Sequence, residues 1–174
     1  MGRRFAIRIM MPIIIVDDAS EDATLASRVL NQCKILNPVR IFKSGQGCID
    51  YFEKTGSRAA GTLPCLLFLD LAMSPMSGVE VLRQLRDVPN AKDSLLVMLS
   101  GVTDYKIIHE GYQLGATTFL FKPLRAEDVL RMIKAMRGLT VTTTGTSYIL
   151  SPRRPGEEGR LSPNEPIQNR SFPE

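Results

Sequence analysis

Five side chains able to do chemistry stand at the ends of short apolar runs: Asp17 and Asp18 after IIIV, Asp70 after CLLFL, Ser100 after LLVML and Lys122 after TFLF. A short, unbroken apolar run bounded by turn residues reads as a strand buried on both faces. In a parallel α/β sheet the carboxyl ends of the strands share one edge, and chemistry is placed there. Three carboxylates brought that close repel one another and do not all stay ionised unaided. A hard divalent cation such as Mg²⁺ resolves the conflict, because it takes carboxylate oxygens, keeps several waters and accepts a phosphate oxygen as a further ligand. Lys122 adds a fixed positive charge and Ser100 a hydroxyl donor. The set suits a transferring phosphoryl group, with one carboxylate as the nucleophile. Asp17 and Asp18 are adjacent and disposed to hold metal. Asp70 stands alone and is the expected nucleophile. Taken singly, each is an ordinary cap, loop acid or surface lysine; their joint placement at strand ends carries the reading.

The elements that must position them alternate. Ile13–Val16 is the first strand, and Ser20 reads as the N-cap of a first helix that has Glu21 and Asp22 in its opening turn. Ala26, Val29, Cys33 and Leu36 follow at helical spacing, so this helix is expected to end near Leu36, before Asn37–Pro38. Val39–Phe42 is a second strand, Gly45–Lys54 a second helix, and TGSRAAGTLP a loop. A third helix carries Val79, Leu82 and Leu85, and Leu95–Leu99 is the fourth strand. A fourth helix from about Asp104 to Leu114 stops at Gly115, a typical residue just past a helix end. Thr118–Phe121 and a helix from about Ala126 to Arg137 complete the series. Five strand–helix alternations predict a parallel sheet covered on both faces.

Composition bounds the rest. With 174 residues and 44% hydrophobic content, the chain forms one domain and an appendage. A net charge of +4 invites a nucleic-acid reading, but Lys and Arg are scattered and aromatics are only 6%. Nucleic-acid binding is therefore not expected. Cys33, Cys48 and Cys65 lack metal-ligand spacing and read as buried, reduced thiols of a cytoplasmic protein. No stretch approaches a membrane span, and the apolar start is broken by Pro12 and followed by acids, unlike a signal peptide. Three segments are expected: an N-terminal extension over 1–11, with Phe5, Ile7 and Ile9 alternating, the strand–helix domain over 12–138, and a tail over 139–174. TVTTTGTSYIL in that tail is β-prone, whereas the Pro-, Gly- and charge-rich remainder is expected to be mostly flexible.

IIIVDD, LLFLDLAM, VMLSG and GATTFLFKP together resemble the receiver domain of two-component response regulators, over residues 13 to about 137. The resemblance implies an α/β, flavodoxin-like (βα)5 doubly wound parallel sheet with strand order 2-1-3-4-5. It implies that Asp70 is the phosphoacceptor, that Asp18 binds Mg²⁺ directly and Asp17 through water, and that the Ala72 carbonyl completes the metal sphere. Ser100 resembles the switch hydroxyl, Lys122 the site lysine, Pro123 a cis proline and Phe119 the aromatic switch. NPVRIFKSGQGCIDYF is similar to stand-alone receivers that partner phytochrome-type histidine kinases. The implied partners are a histidine kinase or phosphotransfer protein, a downstream protein, and a second copy of the chain as a homodimer. No second catalytic motif or helix-turn-helix pattern follows, so the changed surface of helix 4, strand 5 and helix 5 is the expected output, with Tyr105, Ile107, Tyr112 and Leu124 as contributors.

The chain also departs from the family pattern. Ser74 stands where the family usually has proline, with Pro75 after it, so the turn beneath Asp70 is expected to differ. Phe119 lacks the hydroxyl of the commoner Tyr, which favours an inward ring. Ala72 and Val102 are apolar and cannot orient a water, which predicts slow self-dephosphorylation. A phosphatase with an aspartyl nucleophile needs a second carboxylate close to Asp70, and Leu71 to Met76 supply none. A receiver that acts only as a phosphorylation-independent binding module is the other alternative. A cofactor-binding flavodoxin relative is disfavoured by the two acids that follow strand one.

Overall fold

The computed structural model describes residues 10–55 and 64–153; the 1–9 extension, most of the TGSRAAGTLP loop and residues 154–174 lie outside them. Five strands, β1 (Ile13–Val16), β2 (Val39–Phe42), β3 (Leu66–Asp70), β4 (Leu95–Ser100) and β5 (Thr118–Phe121), alternate with α1 (Ser20–Gln32), α2 (Gly45–Thr55), α3 (Gly78–Asp87), α4 (Tyr105–Gln113) and α5 (Ala126–Ala135). The strands pair in parallel in the order β2-β1-β3-β4-β5. This is the flavodoxin-like arrangement implied by the resemblance.

Strand periodicity divides the core into two layers. Ile13, Ile15, Phe68, Val97 and Leu99 face one side with Ala26, Val29 and Leu30 of α1 and Val129 and Ile133 of α5. Ile14, Val16, Leu67, Leu69 and Met98 face the other with Cys48 and Phe52 of α2 and Val81, Leu82 and Leu85 of α3. Each Val, Leu, Ile, Phe or Met side chain among them stabilises the fold by about 2 kcal/mol on leaving water. The three cysteines are free and buried. Burial and the neighbouring Cys65 push the Cys48 thiol up to about 12, and burial pushes Cys65 up to about 11, so both stay protonated and unreactive. No helix among the described residues is long and apolar enough to cross a membrane.

The ends of α1 differ from expectation. Ser20 is the first helical residue, and the N-cap is Ala19, which has no capping side chain. Just before the helix, the Asp17 carboxylate accepts from the Ala19 N–H at 2.9 Å. The helix stops at Gln32, short of Leu36, and Lys34 then adopts φ 56°.

That early stop is explained by the segment after α5. The β-prone stretch at the start of the expected tail forms a hairpin, β6 (Leu139–Thr144) and β7 (Ser147–Pro152), with Gly145 at φ 61° in its tight turn. The 139 boundary is therefore corrected: chain that packs against the core continues to at least Pro152. Tyr148 donates its N–H to the Lys34 carbonyl and accepts from the Leu36 N–H, so the hairpin captures the chain leaving α1. Leu139 and Leu150 are buried in the α1–α5 layer. Met11 and Asn37, which precede β1 and β2, bond to Leu150, so the hairpin sits at the sheet end opposite the Asp-bearing edge.

Asn37 is the pin of this junction. Buried at 4% exposure, its amide donates to the Met11 carbonyl (2.8 Å) and the Leu150 carbonyl (2.6 Å), and its oxygen accepts from the Leu150 N–H (2.8 Å). Asn37→Ala strands two buried backbone groups, the Met11 carbonyl and the Leu150 N–H, while the Leu150 carbonyl keeps the Met11 N–H, and is expected to lower the unfolding free energy by about 2 kcal/mol. Urea unfolding checks this; a loss well under 1 kcal/mol at unchanged slope would mean that the hairpin contributes little to stability.

Candidate functional site

The parallel register brings the candidate residues to one edge. Val16 pairs with Leu69, Asp70 with Leu99 and Ser100 with Phe121, so Asp17, Asp70, Ser100 and Lys122 emerge side by side. The ladder extends past the strands: Leu71 donates its N–H to the Leu99 carbonyl, and Lys122 its N–H to the Ser100 carbonyl. Gly78, the first residue of α3, permits the chain to return tightly on β3, since a Cβ there would lie 2.2 Å from the Asp70 carbonyl oxygen.

Asp17 and Asp70 are buried at 1% and 3% exposure, and Asp18 is exposed. Carboxylate oxygens of Asp17, Asp18 and Asp70 all lie within 4.8 Å of one another. The Lys122 ammonium lies between acids, 2.9 Å from Asp17 Oδ2, 2.9 Å from Asp70 Oδ1 and 2.8 Å from Asp22 Oδ2. Burial pushes the Asp70 carboxyl above the usual range, the Lys122 ammonium opposes that, and Asp17 and Asp18 add to it. Burial draws Lys122 down, but its bonds to Asp22, Asp70 and Asp17 outweigh the burial and leave it above the ordinary lysine range. Three carboxylates thus share one ammonium, and a fourth, Asp18, stands close to two of them. The gathered ligands are all carboxylate oxygens, hard donors that fit Mg²⁺ or a similar cation and not a soft metal.

The remaining predicted residues are placed as follows. Ser100 is buried, and its hydroxyl donates to the Val102 carbonyl and accepts from the Val102 N–H at 3.2 Å. Ala72 lies exposed on the loop after Asp70. The Lys122–Pro123 and Ser74–Pro75 peptides are both cis. Phe119 is half-buried in the α2–α3 layer, its ring against Gly111 and 5.0 Å from that of Tyr112. Among the suggested output residues, Tyr105 is 80% exposed, whereas Leu124 is buried in the core and is no part of the surface.

Two partners were not foreseen. Asp22 looks like any acid of a helix's first turn, yet it reaches Lys122. The signal was available, because a residue in the first turn of a helix that starts just past β1 overhangs the same sheet edge. The second is the Ser74 N–H, which donates to Asp18 Oδ2 at 3.0 Å and ties the loop after β3 to the acidic pair. Only the fold brings that backbone group near Asp18.

Comparison with known proteins finds relatives in both sequence and fold. A family model described as the response regulator receiver domain matches residues 13–134. Response regulator Rcp1 of Synechocystis is 24% identical over 131 residues, covering 75% of this chain and 89% of that protein. A probable chemotaxis protein CheY of Rhizobium etli is 29% identical over 127 residues, covering 72% and 92%. Among solved structures, the bacteriophytochrome response regulator AtBRR is 27% identical with TM-score 0.62, covering 74% of this chain and 93% of its own. The bacteriophytochrome response regulator RtBRR is 25% identical with TM-score 0.68, covering 79% and 83%.

The charge imbalance predicts a stability effect. In metal-free buffer, Asp70→Asn removes one of the crowded carboxylates while Lys122 keeps Asp17 and Asp22. The variant is expected to be more stable at pH 7 by on the order of 1 kcal/mol. The sign follows from the raised carboxyl: the unfolded chain loses this proton first, so ionisation of Asp70 subtracts stability as pH climbs from the ordinary aspartate range through its folded pKa. Below that window the carboxyl is protonated in both states and the advantage of Asn disappears. Urea unfolding in EDTA at pH 7 and at pH 3 tests this; equal or lower stability of the variant at pH 7 would contradict it.

Proposed function

The chain belongs to the response regulator receiver domain family of two-component signalling, and on that premise we propose that it takes a phosphoryl group on Asp70 and signals through a changed surface. The observation that carries this reading is the meeting of Asp17, Asp18, Asp70 and Lys122 at one sheet edge. A histidine kinase or phosphotransfer protein, or a small acyl phosphate, presents the phosphoryl group. The similarity to bacteriophytochrome response regulators favours a phytochrome-type kinase as donor.

An Asp70 oxygen attacks phosphorus in line. A carboxyl O–P bond forms, the donor's P–N or P–O bond breaks, and its electron pair leaves with the imidazole or carboxylate. Asp17, Asp18 and Asp70, with the Ala72 carbonyl, hold Mg²⁺, which when bound supplies positive charge to the phosphoryl oxygens. Lys122 stabilises the same oxygens from the β5 side. The Ser100 hydroxyl exchanges the Val102 carbonyl for a phosphoryl oxygen, and Phe119 shifts against α4. That biases the α4–β5–α5 surface, where Tyr105, Tyr112 and Phe121 are exposed, toward a downstream protein or a second copy. The phosphorylated unit is residues 12–138 with the hairpin docked beneath it. Its buried free thiols suit a cytoplasmic setting.

Incubation with acetyl phosphate and Mg²⁺ is expected to place one acid-stable, hydroxylamine-labile phosphoryl group on the wild-type chain and none on Asp70→Asn. Lys122→Met is expected to slow labelling by about 100-fold or more. Equal labelling of Asp70→Asn would refute the assignment. A wild-type chain that binds its partners but takes no label from either acetyl phosphate or a kinase would instead be the phosphorylation-independent module.

Ala72 and Val102 set the lifetime. Neither side chain can orient an attacking water, so the acyl phosphate in purified protein is expected to last minutes or longer. Loss of label within seconds would contradict this.

A further inference from the structure

Lys122 has three ammonium protons, and three carboxylates take them: Asp17 Oδ2 at 2.9 Å, Asp70 Oδ1 at 2.9 Å and Asp22 Oδ2 at 2.8 Å. These partners are not equivalent. Asp17 and Asp70 belong to the trio whose oxygens gather within 4.8 Å, and Asp22 does not. Any positive charge received by that trio competes with the ammonium for Asp17 and Asp70, leaving Asp22 as the partner it need not share. Asp22 is also held by a different element. It sits in the first turn of α1, where helical N–H groups favour a carboxylate, and α1 is fixed to the sheet through Ala23, Ala26, Val29 and Leu30. Half-exposed, Asp22 reaches the ammonium from the solvent side.

We infer that Asp22 is a positioning residue for Lys122. It tethers the ammonium beside the Asp70 carboxylate once Asp17 and Asp70 are engaged by a divalent cation or a phosphoryl group. The inference rests on the reading of Asp70 as phosphoacceptor. Asp22 itself does not touch the phosphoryl group. Without it, a four-carbon side chain that has lost its shared partners turns toward water, and the charge facing the phosphoryl oxygens is lost for part of the time.

The tether is read directly from the side-chain ammonium resonance of Lys122, assigned by its absence in Lys122→Met, in the ¹⁵N-labelled full chain. In wild type a sharp, slowly exchanging signal is expected both without and with MgCl2. In Asp22→Ala it is expected to persist without MgCl2 and broaden away with it, while Asp22→Asn, which keeps an acceptor oxygen, retains it. In parallel, the acetyl phosphate labelling rate at saturating donor is expected to fall about tenfold in Asp22→Ala with the half-saturating concentration little changed, and to be largely restored in Asp22→Asn. A wild-type signal lost on adding MgCl2, or an Asp22→Ala signal and rate equal to wild type, overturns the tether. Failure of wild type to label at Asp70 overturns the phosphoacceptor reading instead, and the ammonium signal still decides the tether by itself.

Discussion

One ammonium shared among carboxylates is the constraint around which this molecule is arranged. Lys122 contacts Asp17, Asp22 and Asp70 within 2.9 Å, and Asp18 lies close enough to add its charge. Desolvating carboxylates without matching positive charge is costly, and breaking such a network is more costly than never having built it. The chain limits the cost locally with backbone donors, the Ala19 N–H to Asp17 and the Ser74 N–H to Asp18. These bonds do not balance the charge. The carboxylates at this edge therefore outnumber the positive charge that faces them, and a cation bound there would offset the excess.

The two ends of the sheet are treated in opposite ways. At the end where the strands begin, the β6–β7 hairpin, Asn37 and Met11 satisfy backbone groups and bury Leu139 and Leu150. At the end where they finish, short loops leave Asp18 and Ala72 open to solvent. The apolar layers between them are continuous and tightly registered, so the positions of Asp17, Asp70, Ser100 and Lys122 relative to one another are set by strand pairing and not by loop conformation. The hairpin adds to the stability available for holding an uncompensated site.

What could be read from the sequence follows the range of the underlying physics. Apolar runs such as Ile13–Val16 and Leu66–Leu69 identify buried strands because burial on both faces leaves no polar alternation, and once the strands are parallel their terminal residues must share an edge. Asp22 was visible as a helix-start acid, but its partner lies 100 residues away on β5's far end, and helix-start acids are favoured by the macrodipole whether or not they have a partner. The Ser20 cap was misplaced by one residue: Ser20 is already helical, and Ala19 before it offers no capping side chain. The early end of α1 is a tertiary effect: Tyr148 captures the backbone at Lys34 and Leu36, and nothing local to α1 announces it. The same contacts turn a β-prone stretch, composed much like a tail, into docked structure.

The resting hydrogen bonds also bear on how such a site can switch. Three of the groups that the proposed chemistry needs are already engaged: Ser100 with the Val102 backbone, Asp18 with Ser74, and Lys122 with three acids. Phosphorylation on that proposal exchanges partners and does not simply add bonds, and an exchanged hydrogen bond is worth only about 1 kcal/mol net. Moving a two-state surface from about 1:99 to 99:1 needs about 5.5 kcal/mol. No single exchange, at Ser100 or elsewhere, reaches that. Charge-assisted bonds to a dianionic phosphoryl group are roughly twice as strong as neutral ones, so Lys122 and Ser100 changing partners together supply about 4 kcal/mol, most of the requirement, and neither does so alone. The two residues lie across the β4–β5 ladder, joined through the Lys122 N–H to the Ser100 carbonyl. On the same proposal, that backbone link is what would couple a displacement of one to the other, with β5 leading from Lys122 back to Phe119, which packs against Gly111 of α4.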